Sequence, residues 1–219
     1  MKLIQKQGYW CPDTDVKNEV GDDCFDYIYA ELPNVNCLVE ACQEFNISMN
    51  SCIHAGGNIG MYAMEFAKHF KRVYTFEPEN DNFSALMLNC HMIQNIFPYK
   101  ACLGYTNKPA KLTDTCHGNI GAWRVTGRPD GNIPMLKIDD LGLTDVSLIH
   151  LDIEGYELFA LRGADRTIRR CKPLIAFEIL DHFQDYGYKY EDIERYLFSL
   201  GYDIAKPYGN EVMFYFKER

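Results

Sequence analysis

The sequence predicts an α/β chain built on a doubly wound, mostly parallel sheet that closes with an antiparallel C-terminal hairpin. Three observations carry that expectation. A short apolar run, Ser51–Ala55, ends in Gly56-Gly57 and passes into a helical pattern over residues 59–70. A second such run, Arg72–Phe76, ends in Glu77-Pro78. Strand-like and helix-like segments then alternate, until residues 202–205 and 212–216 flank Pro207-Tyr208-Gly209-Asn210, a reversal suited to an antiparallel pair. Alternation of this kind gives a Rossmann-like sheet with helices on both faces. A glycine turn between strand and helix is where such sheets receive nucleotide-like ligands.

Taken in order, residues 1–46 carry little chemistry. Residues 22–45 interleave apolar and polar side chains at roughly helical spacing, broken at Pro33. They read as an N-terminal cap segment (1–46) on a Rossmann-like core (47–219), together one domain. Such a cap either shapes a ligand pocket or simply packs an edge. Over residues 80–94, Phe83, Leu86, Met87, Cys90 and Ile93 fall on one helical face, and Asp81 is placed to cap that helix. After Pro98, residues 99–102 form the expected third strand, with Cys102 at its end beside a nucleobase. Residues 103–134 are rich in Gly, Thr, Asn and Pro, which suggests a hairpin among loops. Residues 135–138 read as a short strand entering Asp139-Asp140. Residues 147–151 form the fourth parallel strand, an apolar run after Ser147 apart from His150. A single helix is expected over 154–170, with Leu158, Leu161 and Ile168 inward. The fifth strand is Leu174–Glu178, and residues 190–200 form an amphipathic helix closed by Gly201.

Composition narrows the partners. With 219 residues, 47% apolar and 24% charged, the chain is long enough for a sizeable core. A formal charge of −9 and no Lys/Arg run argue against a nucleic-acid partner. None of the nine cysteines falls in a C-x-x-C pair or a zinc spacing, so they read as reduced, largely buried thiols. No stretch approaches membrane-spanning length, which leads to the expectation of a cytoplasmic protein with no membrane partner.

The candidate site begins at the glycine turn. Gly56 and Gly57 lack a Cβ, so a ligand can lie against bare backbone. Seventeen residues after Gly60, Glu77 ends the second strand, where a carboxylate can accept both hydroxyls of a ribose. The glycines are offset from a dinucleotide G-x-G-x-x-G, with Asn58 inside the turn, which disfavours a nicotinamide-dependent oxidoreductase. At the other strand ends, Asp152 and Glu178 sit at the sheet's ligand-binding edge, and His182 follows closely. Asp152 also fits as the N-cap of a helix opening at Ile153. Both roles are open from sequence.

The stretch from His54 to Gly60 resembles the D-x-G-A-N-x-G loop of class I methyltransferases that bind S-adenosylmethionine, and more narrowly the FkbM family. The supporting blocks are Phe76-Glu77-Pro78, Asn119-Ile120-Gly121-Ala122, Ile138-Asp139-Asp140-Leu141, Leu151-Asp152-Ile153-Glu154-Gly155-Tyr156-Glu157, Leu161-Arg162-Gly163-Ala164 and residues 173–178. The resemblance implies the class I methyltransferase fold. It also implies methyl transfer from S-adenosylmethionine to an oxygen, most often a sugar hydroxyl on a glycan or glycosylated metabolite. The expected cofactor-binding residues are His54, Gly56, Asn58, Gly60, Glu77 and Cys102. His54 stands where the family has Asp, so a negative charge expected beside the cofactor's ammonium is missing, and a methyltransferase-shaped binding module without turnover stays open. A hydroxyl acceptor needs a general base, and Asp152, Glu178 and His182 are the candidates. A divalent cation on Asp152, Glu178 and one of Asp139 or Asp140 is conceivable chemistry. The spacing is not that of a metal site, and no metal is expected.

Overall fold

The computed structural model describes residues 2–13, 24–115, 119–126, 131–179, 181–205 and 211–217. Its elements in chain order are β1 (Leu3–Lys6), β2 (Tyr9–Pro12), α1 (Cys24–Glu31), α2 (Asn34–Glu44), β3 (Ser51–Ala55), α3 (Met61–Ala67), β4 (Arg72–Phe76), α4 (Asn80–Cys90), β5 (Ile96–Tyr99), β6 (Cys102–Leu103), β7 (Lys111–Asp114), β8 (Trp123–Thr126), β9 (Met135–Leu136), β10 (Val146–Leu151), α5 (Glu157–Arg162), α6 (Asp165–Cys171), β11 (Leu174–Glu178), α7 (Tyr190–Ser199), β12 (Tyr202–Ile204) and β13 (Glu211–Phe216). Ile138–Leu141 and Asp181–Tyr186 are short 3-10 helices.

Seven strands form one sheet in the order β12-β13-β11-β10-β3-β4-β5. The strands from β11 to β5 in that order run parallel, and β13 runs antiparallel to both β11 and β12. From β3 the chain builds outward to β4 and β5; from β10 it builds outward the other way. The reversal between β3 and β10 is a topological switch, which opens a crevice at the carboxyl ends of the strands.

Every residue of β3 and β10 is buried, because helices cover both faces. Ile53, Ala55, Ile149 and Leu151 pack towards Leu158, Leu161, Ile168 and Leu197 of α5–α7. Cys52, Leu148 and Ala176 pack towards Leu38, Phe66 and Leu86 on the opposite face. On that second face the register aligns three polar side chains, Thr75, His54 and His150, across adjacent strands. The N-terminal segment packs around Phe25, with Ile59, Met61 and Ala85, against the helix that follows the glycine turn.

Several boundaries differ from expectation for identifiable reasons. The third sheet strand is β5 and contains Pro98. β5 is an edge strand, and an edge tolerates a residue with no N–H to give. Cys102 opens the separate strand β6, paired in parallel with β9. The helix expected over 154–170 is two helices. Glu154 has φ 57°, which no helix accommodates. At Gly163 a Cβ would lie 1.9 Å from the Gly104 carbonyl oxygen, and the Gly163 carbonyl accepts from Asp139 N–H at 2.9 Å. The Asp139 carboxylate then accepts from the Arg166 and Thr167 N–H groups at 3.1 and 2.8 Å, a distant cap for α6. α4 is capped by Glu79, which accepts from Asp81 N–H and Asn82 N–H, and not by Asp81. The turn at Pro207-Tyr208-Gly209-Asn210 lies outside the described residues.

Candidate active site

The carboxyl ends of β3, β4, β10 and β11 surround one cavity. The glycine turn forms part of its wall through Gly56, Gly57 and Asn58. Two backbone bonds stitch that turn to β4: Gly56 N–H and Gly57 N–H both donate to the Phe76 carbonyl, at 3.1 and 2.9 Å. Gly56 has φ 88°, and a Cβ there would lie 2.0 Å from the Asp152 carbonyl oxygen. Only glycine fits both conditions. Asn58 N–H donates to Glu77 Oε2 at 2.7 Å, and Glu79 N–H donates to Glu77 Oε1 at 2.8 Å. Glu77 therefore holds the turn in shape while it borders the cavity. It is 5% exposed; burial pushes its carboxyl up to about 8, against the pull of those two N–H groups. Each carboxylate oxygen accepts more than one hydrogen bond, so both retain capacity towards a ligand.

Two of the expected cofactor contacts are placed differently. Gly60 does not border the cavity. Its backbone is left-handed at φ 95°, and a Cβ on it would meet Cys90 Sγ at 2.9 Å and Leu86 Cγ at 3.2 Å, so backbone conformation and the close approach of α3 to α4 both favour glycine there. His54 borders the cavity but is 1% exposed. Its Nδ1 is 3.1 Å from Thr75 Oγ1, and its ring lies between Phe66 and His150 at 5.5 and 5.3 Å. Burial first, and then His150, holds its pKa well below the ordinary histidine value, so it is a neutral wall residue. Cys102 borders the cavity with its thiol pushed up to about 12 by burial, an inert surface.

Asp152 and Glu178 both reach the cavity wall. Asp152 is an exposed residue that lines the cavity. Desolvation first, then Glu178 and Glu154, drive its carboxyl well above the usual range. It is not a helix cap: α5 starts at Glu157, and the buried Glu157 carboxylate accepts from Ile153 N–H at 3.0 Å in its place. His182 is not brought to the wall. Its Nε2 contacts the Arg124 guanidinium and lies 3.7 Å from Glu154 Oε2. A guanidinium can only donate, so that nitrogen is occupied as an acceptor. Asp139 and Asp140 are also elsewhere, paired with Arg166. Among the described residues no group of three or more His, Cys, Asp or Glu could hold a metal ion.

Sequence reasoning missed Tyr27 and Glu31 of α1, Tyr62 of α3, and His150, all of which line the same cavity. His150 alone left a signal, as a polar residue near the end of a largely apolar central strand. Tyr62 comes from α3, the helix after the glycine turn, and Tyr27 and Glu31 reach the site through tertiary packing of the N-terminal segment. That segment thus shapes the pocket as well as packing against the core. Among the described residues no helix is long and apolar enough to cross a membrane.

A seven-stranded sheet with this order, one reversed strand and a ligand cavity at the switch is the class I methyltransferase fold. The chain belongs to the methyltransferase FkbM domain family, whose model matches residues 54–204, more than half of the sequence. Among solved structures, it resembles a methyltransferase FkbM from Methylobacillus flagellatus KT at 21% identity and a TM-score of 0.54, over 76% of this chain and 43% of that one. It also resembles the N-methyltransferase NodS from Bradyrhizobium japonicum WM9 at 10% identity and a TM-score of 0.50, over 86% and 97% of the two chains. Likeness at these identities shows the fold alone, and the chain spans less than half the length of the first of these proteins. A comparison with curated protein sequences gives no match.

Proposed function

We propose that the protein transfers a methyl group from S-adenosylmethionine to an oxygen, a sugar hydroxyl of a glycan or glycosylated metabolite. The observation that carries this reading is the convergence of the glycine turn, Glu77 and Asp152 on one cavity at the switch of the sheet. The residues present suit the cofactor. Gly56 leaves backbone bare where a Cβ would intrude. Glu77 keeps acceptor capacity for a ribose. The cavity wall, among the described residues, has no Lys or Arg to repel a cation. When bound, S-adenosylmethionine supplies an electrophilic methyl carbon on a positively charged sulfur.

The protein's part is alignment and proton removal. Glu77 and the turn it holds would fix the ribose end. Asp152 would accept the proton of the acceptor hydroxyl. A carboxylate whose pKa is raised by its surroundings is a stronger base than one in open water, and Asp152 is in that condition. Glu178, on the neighbouring strand end, is the second acceptor within the same wall.

The test is incubation with methyl-deuterated S-adenosylmethionine and a panel of monosaccharide glycosides and nucleotide sugars, read by mass spectrometry. The expected result is an acceptor gaining one labelled methyl ether. Label found only on nitrogen would contradict the oxygen assignment.

A further inference from the structure

The β7–β8 hairpin lies outside the main sheet and pairs as a two-stranded sheet of its own. Such a hairpin is marginal by itself in water, so what it is tied to decides where it sits. Side chains alternate between its two faces. Leu112 is opposite Val125 in the register, and both line the cavity, together with Trp123. Arg124 and its register partner Thr113 belong to the other face and do not border the cavity. The hairpin therefore gives the cavity an apolar wall and carries a cation behind that wall.

That cation is a tether. The Arg124 side chain is 17% exposed, and its guanidinium meets three partners from two other segments. Nη1 donates to Asp185 Oδ2 at 3.0 Å, Nη2 contacts His182 Nε2, and Nε lies 3.8 Å from Glu154 Oε2. His182 and Asp185 belong to the short 3-10 helix after β11. Glu154 belongs to the turn after β10, two residues beyond Asp152, and itself borders the cavity. Burial raises the Glu154 carboxyl against the pull of Arg124. A second bond runs between the same elements: the Tyr186 hydroxyl donates to the Val125 carbonyl at 2.8 Å. Removing the guanidinium would leave a largely buried carboxylate without its cation, a costly change in a cluster of this kind. The hairpin would lose the charged contact that joins it to the Asp152 turn.

We propose that Arg124 is a positioning residue: through Glu154, His182 and Asp185 it holds the wall of Leu112, Trp123 and Val125 over the cavity, and so sets how fast a bound cofactor leaves. That the cofactor is S-adenosylmethionine rests on the methyl-transfer reading above; the hold on the wall does not. The proposal also gives His182 a place. It acts as an acceptor for the guanidinium behind the wall and not as a base inside the cavity. Because the guanidinium reaches the hairpin and the Asp152 turn together, the wall and the strand end that faces it keep one spacing.

The test uses the hairpin's own reporter. The chain has two tryptophans, so Trp10→Phe leaves Trp123 as the one fluorophore of its kind. In that background Arg124→Gln should shift Trp123 emission to the red and raise its quenching by acrylamide in the ligand-free protein. Release of labelled S-adenosylhomocysteine into excess unlabelled ligand should become about tenfold faster. Arg124→Lys keeps the charge without the planar fork and should fall between parent and Arg124→Gln on both readouts. Gly60→Ala, which weakens the fold at the α3–α4 contact, should lower Tm and leave Trp123 quenching at the parental value. The proposal is overturned if Arg124→Gln lowers Tm alone, with Trp123 quenching or the release rate unchanged. It is overturned equally if Gly60→Ala exposes Trp123 as much as Arg124→Gln does. Failure of the methyl-transfer reading looks different: S-adenosylhomocysteine would then not bind, and Trp123 quenching in the ligand-free variants would still decide whether Arg124 holds the wall.

Discussion

Replacing Glu77 with glutamine removes an acceptor from a place where two backbone donors are already committed. Oε2 accepts from Asn58 N–H at 2.7 Å and Oε1 from Glu79 N–H at 2.8 Å. Glutamine keeps one oxygen and puts an NH2 group in the other position, so one of those donors meets a donor. Leaving it unpaired costs about 1–3 kcal/mol, which for a chain of this size lowers Tm by about 2–4 °C per kcal/mol. The ribose loses an anionic acceptor at the same time, and a hydrogen bond to a charged group contributes about 1.5–3 kcal/mol. Calorimetry should therefore show Kd for S-adenosylhomocysteine rising about 10- to 100-fold in Glu77→Gln. pH gives a second readout. Burial pushes Glu77 up to about 8 from an ordinary 4.5. Ribose hydroxyls favour its ionised form, so affinity should rise with pH up to about 8 and level off above it. Stability of the ligand-free protein responds in the opposite sense. A group whose folded pKa lies above its unfolded value contributes stability below 4.5 that is lost as pH rises through about 8. Glu77→Gln should remove its share of both trends. A folded variant that binds within about threefold of the parent across this range would refute the ribose assignment.

Asp152→Asn should lower turnover about 10²- to 10⁴-fold with affinity for S-adenosylhomocysteine nearly unchanged. The parent rate should fall as pH drops through the raised Asp152 pKa, and retention of both rate and profile in the variant would move the base elsewhere. Gly56→Ala meets both a left-handed backbone and the Asp152 carbonyl at 2.0 Å. It should lose Tm and cofactor binding together, and an unchanged Tm would mean the turn is looser than the geometry indicates. Gly60→Ala also meets a left-handed backbone, at φ 95°, but strains the α3–α4 contact and not the Asp152 carbonyl. Thermal denaturation should show a lower Tm, while the folded fraction still binds S-adenosylhomocysteine with parental affinity; a large loss of affinity would put Gly60 back in the site.

The sequence was most legible where burial is uniform. β3 and β11 match their expected limits because a strand covered on both faces reads as a largely apolar run between breakers. It was least legible where distant backbone decides. Asp139 caps α6 from 27 and 28 positions away, and Gly104 lies against Gly163; neither event leaves a local mark on the stretch they divide. Pro98 misled because its tolerance depends on β5 being an edge, a property of the sheet and not of the segment. In the site, Glu77, Gly56, Asn58, Asp152 and Glu178 could be named from strand ends and turn chemistry, and all border the cavity. Gly60 and His182 were nearby in sequence but face other partners. Tyr27, Glu31 and Tyr62 come from helices whose periodicity says which face is buried and nothing about which ligand it meets.

The central claim is that this cavity binds S-adenosylmethionine, and titration of the purified protein with S-adenosylhomocysteine tests it most directly. A ligand that binds only the folded state raises Tm, so the account requires a saturable rise with S-adenosylhomocysteine and none with NAD or NADH. A rise with the nicotinamide cofactors and none with S-adenosylhomocysteine would contradict it.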